Sequence, residues 1–117
     1  MKIYLAGPMR GIPEFNFPAF FAAAAALRAE GHVVFNPAER DQNAHGEACW
    51  KGNMTGDLNV GTTKTSGFNL REALRDDTHY ICMEADAIAL LPGWEKSSGA
   101  TAERALGVAL GHKLIVL

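Results

Sequence analysis

At 117 residues, with 48% hydrophobic and 21% charged side chains, the chain has the size and composition of one globular domain that buries roughly two-thirds of its unfolded surface. A formal charge of −2 excludes a generic polyanion binder, which needs many clustered Lys and Arg, so any phosphate bound here should be small. No nucleic-acid polymer and no membrane is expected as a partner: the longest apolar stretch, Ala19 to Leu27, is too short to span a bilayer.

Ile3-Tyr4-Leu5-Ala6, ending at Gly7-Pro8, reads as a buried first strand. The opening MKIYLAGPM lacks the long apolar run of a secretion signal, and a cytoplasmic location is expected. After a turn from Met9 to Asn16, Phe17-Pro18 opens a helix that the alanine-rich run carries to Glu30, with Gly31 as its stop and Phe20, Phe21, Ala24 and Leu27 as its apolar stripe. His32 to Phe35 is a second strand, closed by Asn36-Pro37.

From Ala38 to Gly67 the chain is rich in Gly, Asn and Thr without sustained periodicity, and is expected to be a long polar loop or insertion, a functional flap or a mobile segment. A helix is predicted from Asn69 to Ile81, with Asp77 on its apolar stripe and Asp76 about 100° away toward solvent. Asp86 to Leu91 is a third strand, ended by Pro92-Gly93. The last helix runs from Ala100 to Leu110 and the last strand from Lys113 to Leu117. Strands alternating with helices predict an α/β fold: a small doubly wound parallel sheet, flavodoxin-like or Rossmann-like, of four to five strands and forming a single domain.

Parallel sheets of this kind bind ligands outside the carboxyl ends of their strands. Those ends place Arg10, Trp94 and the turn from Ser97 to Gly99 at one rim, with Glu103 one turn into the helix that starts there. A carboxylate so near a helix amino terminus is favoured in its ionised, nucleophilic form, although from the residues alone a capping or dipole-complementing acid is its more ordinary role. Asp77, buried on its stripe, should have a raised pKa suited to a proton donor. Arg10 stands in a glycine-flanked turn suited to an anion, and Ser97 and Ser98 can cap a helix or meet a phosphate. Tyr4 has packing as its ordinary role, and Trp94 and Phe68 could stack a base, although isolated aromatics more often pack in a core or at a rim. The glycines match neither a dinucleotide fingerprint nor a Walker loop. Neither the two cysteines, Cys49 and Cys82, nor the four scattered histidines have zinc-site spacing, and no metal is expected.

The segments Tyr4-Leu-Ala-Gly-Pro-Met-Arg-Gly11, Asp77, Asp86-Ala-Ile-Ala-Leu-Leu-Pro-Gly-Trp94 and Ser97-Ser-Gly-Ala-Thr-Ala-Glu103 resemble the nucleoside 2-deoxyribosyltransferase superfamily, in particular a small phage and bacterial branch. The resemblance spans both ends of the chain and leaves out the segment from about Ala38 to Gly67. It implies that Glu103 attacks C1′ of a deoxyribose to give a glycosyl-enzyme intermediate, that Asp77 assists departure of the base, and that Tyr4 positions the nucleophile. Asp77 lies one residue farther from Asp86 than its counterpart in better-known members.

Six residues before the glutamate, members acting on free nucleosides have Asp and the 2′-deoxynucleoside 5′-phosphate N-hydrolases have Ser; this chain has Ser97. A hydroxyl beside Arg10 accepts a phosphate that a carboxylate would repel, so a nucleoside monophosphate is the expected ligand. The resemblance matches Arg10 to an arginine of the hydrolases' phosphate site, in which Pro8 replaces a serine; Arg10, Ser97 and Gly99 are the expected phosphate cradle, and Gly7, Gly11, Trp94 and Ser98 complete the expected substrate-binding set. It implies no metal or organic cofactor, and a homodimer or larger assembly. Relatives continue past the position of Leu117 into a segment that completes the neighbouring subunit's pocket, and the middle segment is the candidate substitute. Two further classes stay open: a nucleotide-binding protein without turnover, and a structural domain whose acids are caps.

Overall fold

The short apolar runs pair as strands in a computed structural model, which describes residues 1–117. β1 (Lys2–Ala6), β2 (Val33–Phe35), β3 (Ala87–Leu90) and β4 (Lys113–Val116) form one parallel sheet of four strands in the order β2-β1-β3-β4. Tyr4 lies opposite Phe35 on one side and Ile88 on the other. From β1 the chain goes first to one neighbour and later to the other, so β1 and β3 flank the point where the winding reverses. A crevice opens there in sheets of this class.

The five helices are α1 (Phe17–Ala29), α2 (Pro37–His45), α3 (Gly61–Thr65), α4 (Leu70–Met83) and α5 (Ser98–Ala109). Alternation along the strands divides the core in two. Ile3, Leu5, Ala87 and Ala89 pack with Phe17, Phe20, Ala24 and Leu27 of α1 on one face. Tyr4, Ala6, Ile88 and Leu90 pack with Ile81 of α4 and Ala100 of α5 on the other. Strand and helix limits fall within two residues of those predicted. No helix is long and apolar enough to cross a membrane.

The segment from Ala38 to Gly67 departs from its reading as an unstructured loop: it contains most of α2, a 3₁₀ turn at Glu47–Cys49, and α3. Asn36-Pro37 is a helix start as well as a strand stop. Asn36 caps α2 by accepting the Ala38 N–H at 3.0 Å, and Pro37 occupies the first helical position. The helix has little apolar periodicity because its buried face consists of Pro37, Ala38 and Asp41.

Backbone bonds dock the whole segment on the connection between β1 and α1. Gly11 donates its N–H to the Gly56 carbonyl at 3.0 Å, Glu14 donates to the Asn53 carbonyl at 2.6 Å, and Trp50 stacks on Phe17. Gly56 has φ +66°, and a Cβ there would lie 2.5 Å from the Ile12 backbone nitrogen, so only glycine fits.

Candidate active site

At the carboxyl ends of β1 and β3 lies a cleft of about 760 Å³, within the size range of small-molecule sites. Tyr4 reaches it from the sheet, Asp77 from α4 and Glu103 from α5. Each is at least nine-tenths buried. The Tyr4 hydroxyl donates to Glu103 Oε2 at 2.5 Å, a short charge-assisted distance.

Small residues on α5 make this contact possible. Ala100 and Gly107, one turn either side of Glu103, face the sheet with it. A Cβ on Gly107 would sit 2.6 Å from Ile88 Cγ1, so glycine lets the helix approach β3 closely.

Helix capping does not account for Glu103. Ser97 is the N-cap of α5, its Oγ accepting the Ala100 N–H at 3.1 Å, and the capping-box position is therefore Ala100. Glu103 lies beyond the first turn, where the helix dipole has faded. The expected ionising influence of the helix start is accordingly outweighed. Burial lifts the Glu103 carboxyl to about 7, with the Tyr4 hydrogen bond acting in the opposite direction.

Asp77 has the raised pKa that its stripe position predicts. Burial lifts it to about 8, and the charges of Glu103 and then Asp41 add to the rise. Its Oδ1 has no hydrogen-bond partner within the protein. Tyr4 is held well above its ordinary pKa, first by burial and then by the charge of Glu103, and so stays a donor. Both carboxyls thus hold a proton more tightly than ordinary acids, Asp77 the more so because the charge of Glu103 adds to its burial. That is the division of labour between a nucleophile and an acid.

One wall of the cleft is basic and rich in backbone donors. Gly7, Arg10, Ser97, Ser98 and Gly99 line it, as does Lys96, which sequence reasoning overlooked. Neither Arg10 nor Lys96 has an acidic partner within 4 Å. Two free cations beside a helix amino terminus suit a small anion. Gly7 is needed for packing as well, since a Cβ there would meet Leu91 Cβ at 2.7 Å.

Two predicted residues fall outside the cleft lining. Gly11 uses its N–H to hold the middle segment at Gly56. Trp94 packs against the core on the α4 and α5 side, with the Arg104 guanidinium 5.1 Å from its ring centroid. Phe68 does line the cleft, edge-on to His45. Asp76, on the solvent side of α4, pairs with Arg40 and Arg75, which hold its carboxyl below the usual range.

The middle segment contributes Asp41, Cys49 and Leu58 to the lining, none of which its sequence pattern marked. The lining also includes Phe15 and Asn16, at the end of three consecutive left-handed residues: Glu14 at φ 54°, Phe15 at φ 53° and Asn16 at φ 62°. Such a turn is unfavourable by about 1–2 kcal/mol per residue. It is held by Glu14 Oε2 accepting the Gly52 N–H and by Asn16 Nδ2 donating to the Pro8 carbonyl. Strain retained beside a cleft marks a position where geometry has been kept against local preference. No group of three or more His, Cys, Asp or Glu side chains is placed to hold a metal.

Fold and site together define an α/β domain of flavodoxin-like strand order that gathers a tyrosine and two buried carboxyls at its switch-point cleft. The chain belongs to the DUF4406 family, described as a domain of unknown function, whose model matches residues 1–116. No curated protein and no solved structure matches it.

Proposed function

We propose that the protein cleaves the N-glycosidic bond of a (deoxy)nucleoside 5′-monophosphate, in keeping with the resemblance to the nucleoside 2-deoxyribosyltransferases. The observation that carries the reading is the buried Tyr4–Glu103 hydrogen bond facing the same cleft as Asp77. Tyr4 fixes one Glu103 oxygen and leaves the other for the sugar. The Glu103 carboxylate attacks C1′, the bond to the base breaks with its electron pair going to the base nitrogen, and Asp77 delivers a proton there. Water, or a second base, then attacks C1′ and returns a proton to Asp77, releasing Glu103. Two carboxyls used in this way follow the retaining-glycosidase pattern. The chemistry requires no metal or organic cofactor.

The phosphate is assigned to the wall of Arg10, Lys96, Ser97, Ser98 and Gly99. We place the protein in the cytoplasm, where its two free cysteines, Cys49 and the exposed Cys82, stay reduced. We also assign it a homodimeric or larger assembly. Exposed Val108 and Leu110 near the end of α5, with Val116 and Leu117 at β4, offer apolar surface for pairing.

A second reading, nucleotide binding without turnover, is favoured by the same burial that lifts Glu103 to about 7 and weakens it as a nucleophile at neutral pH. Chromatography of a panel of nucleoside and deoxynucleoside monophosphates incubated with wild type and Glu103→Gln separates the two. Free base from wild type alone supports the enzyme, and binding without release by either protein supports the binder. Neither binding nor release contradicts both.

A further inference from the structure

Asp41 is the one acid lining the cleft that the proposed reaction leaves unused. It sits midway along α2 with its carboxyl almost wholly buried. Its Oδ1 accepts from Arg40 Nη1 at 2.9 Å, while Oδ2 accepts no hydrogen bond from the protein. Asp41 lines the cleft, and its Oδ2, unlike Asp77 Oδ1 and Tyr80 Oη, is not sealed from solvent without a partner.

Arg40 is itself committed, since its other arm holds Asp76 of α4. The arrangement anchors one Asp41 oxygen and leaves the other without a protein donor. Burial lifts the Asp41 carboxyl above its ordinary range; Arg40, and then His45, act against that rise, and the charge of Asp76 adds to it. Cys49 and Asp77 also feel its charge. The same cleft is lined by Phe15, Phe17, Leu58 and Phe68, surfaces that suit the faces of a base more than a sugar phosphate.

We propose that Asp41 reads the base by accepting hydrogen bonds from an adjacent ring N–H and amino group, and so favours guanine nucleotides. An ionised carboxylate is acceptor-only, and with about four lone-pair sites on its two oxygens it can take two neighbouring donors while Oδ1 still accepts from Arg40. Guanine alone among the common bases presents them on one edge. Adenine and cytosine place a ring acceptor beside their amino group, and thymine flanks its single N–H with carbonyls, so each sets an acceptor against the carboxylate. Sites built around such pairing discriminate strongly, because a mismatched edge leaves a buried polar group unpaired.

The assignment rests on the nucleotide reading of the cleft, and calorimetry keeps the two separable. Binding of dGMP, dAMP, dCMP and dTMP is measured on Glu103→Gln, to suppress turnover, and on the Glu103→Gln/Asp41→Asn double variant. The expected result is dGMP binding at least tenfold tighter than the others, with Asp41→Asn removing that margin while the other affinities change less than threefold. Equal weakening of all four, or a guanine preference untouched by Asp41→Asn, overturns the assignment and leaves the nucleotide site standing. Failure of all four to bind overturns both. Should the double variant melt below the assay temperature, the order of affinities on Glu103→Gln decides, and any base bound as tightly as guanine contradicts the proposal.

Discussion

Glu103 has one hydrogen-bond donor, Tyr4, and that bond lowers a carboxyl pKa which burial otherwise raises. Tyr4→Phe should therefore reduce base release on the order of 10- to 100-fold, the kinetic equivalent of losing a charge-assisted bond of roughly 1.5–3 kcal/mol. It should also move the acidic limb of the pH–rate profile upward. The wild-type profile should be a bell, requiring Glu103 ionised above about 7 and Asp77 protonated below about 8. Initial rates at closely spaced pH values for both proteins check the pair. Sequence alone placed Asp77 on a buried stripe and so anticipated its raised pKa. It misread Glu103, because spacing from a helix start says nothing of how deeply a neighbouring strand and helix enclose a side chain. Trp94 was legible as an aromatic at a strand end that could stack a base or pack at the core or rim; its place against the core depends on which way the turn after β3 directs it.

At the scale of elements, α5 is brought against the sheet by Gly107, whose added Cβ would strike Ile88. Gly107→Ala should cost about 1–3 kcal/mol by overpacking. It should also displace Glu103 from Tyr4, lowering kcat more than it raises KM. Denaturant titration and steady-state kinetics on the one variant check both effects. The four strands and the three helices with apolar stripes were legible because period two and period 3.6 were both visible in them. α2 was not, since its buried face is a proline, an alanine and an aspartate. The Asn36-Pro37 pair carried the helix-start signal, but the same pair also ends a strand. Lys96 and Asp41 went unseen for a related reason: a charged residue in a turn or on a polar helix has no pattern to distinguish it until the tertiary fold aims it.

Across the whole molecule, both buried carboxyls of the cleft, Asp77 and Glu103, keep their protons in the folded state to a higher pH than the unfolded chain does. For Asp77 the interval runs from its ordinary 3.8 to about 8, and the folded protein binds the extra proton throughout it. Stability contributed by this group is thus full at low pH and falls as pH rises through the interval. Asp77→Asn removes the penalty, so its melting temperature relative to wild type should climb steadily between pH 5 and pH 8. Thermal melts at those pH values decide it, and a constant difference would show that Asp77 is not buried as described. The same pair of acids carries the central claim, that Glu103 becomes glycosylated during turnover. Acid-quenching wild type during reaction with a deoxynucleoside monophosphate, followed by peptide mass spectrometry, should place a deoxyribose phosphate on the peptide containing Glu103, with none on Glu103→Gln. Base release that continues in Glu103→Gln, with no adduct on the wild-type peptide, would contradict the account.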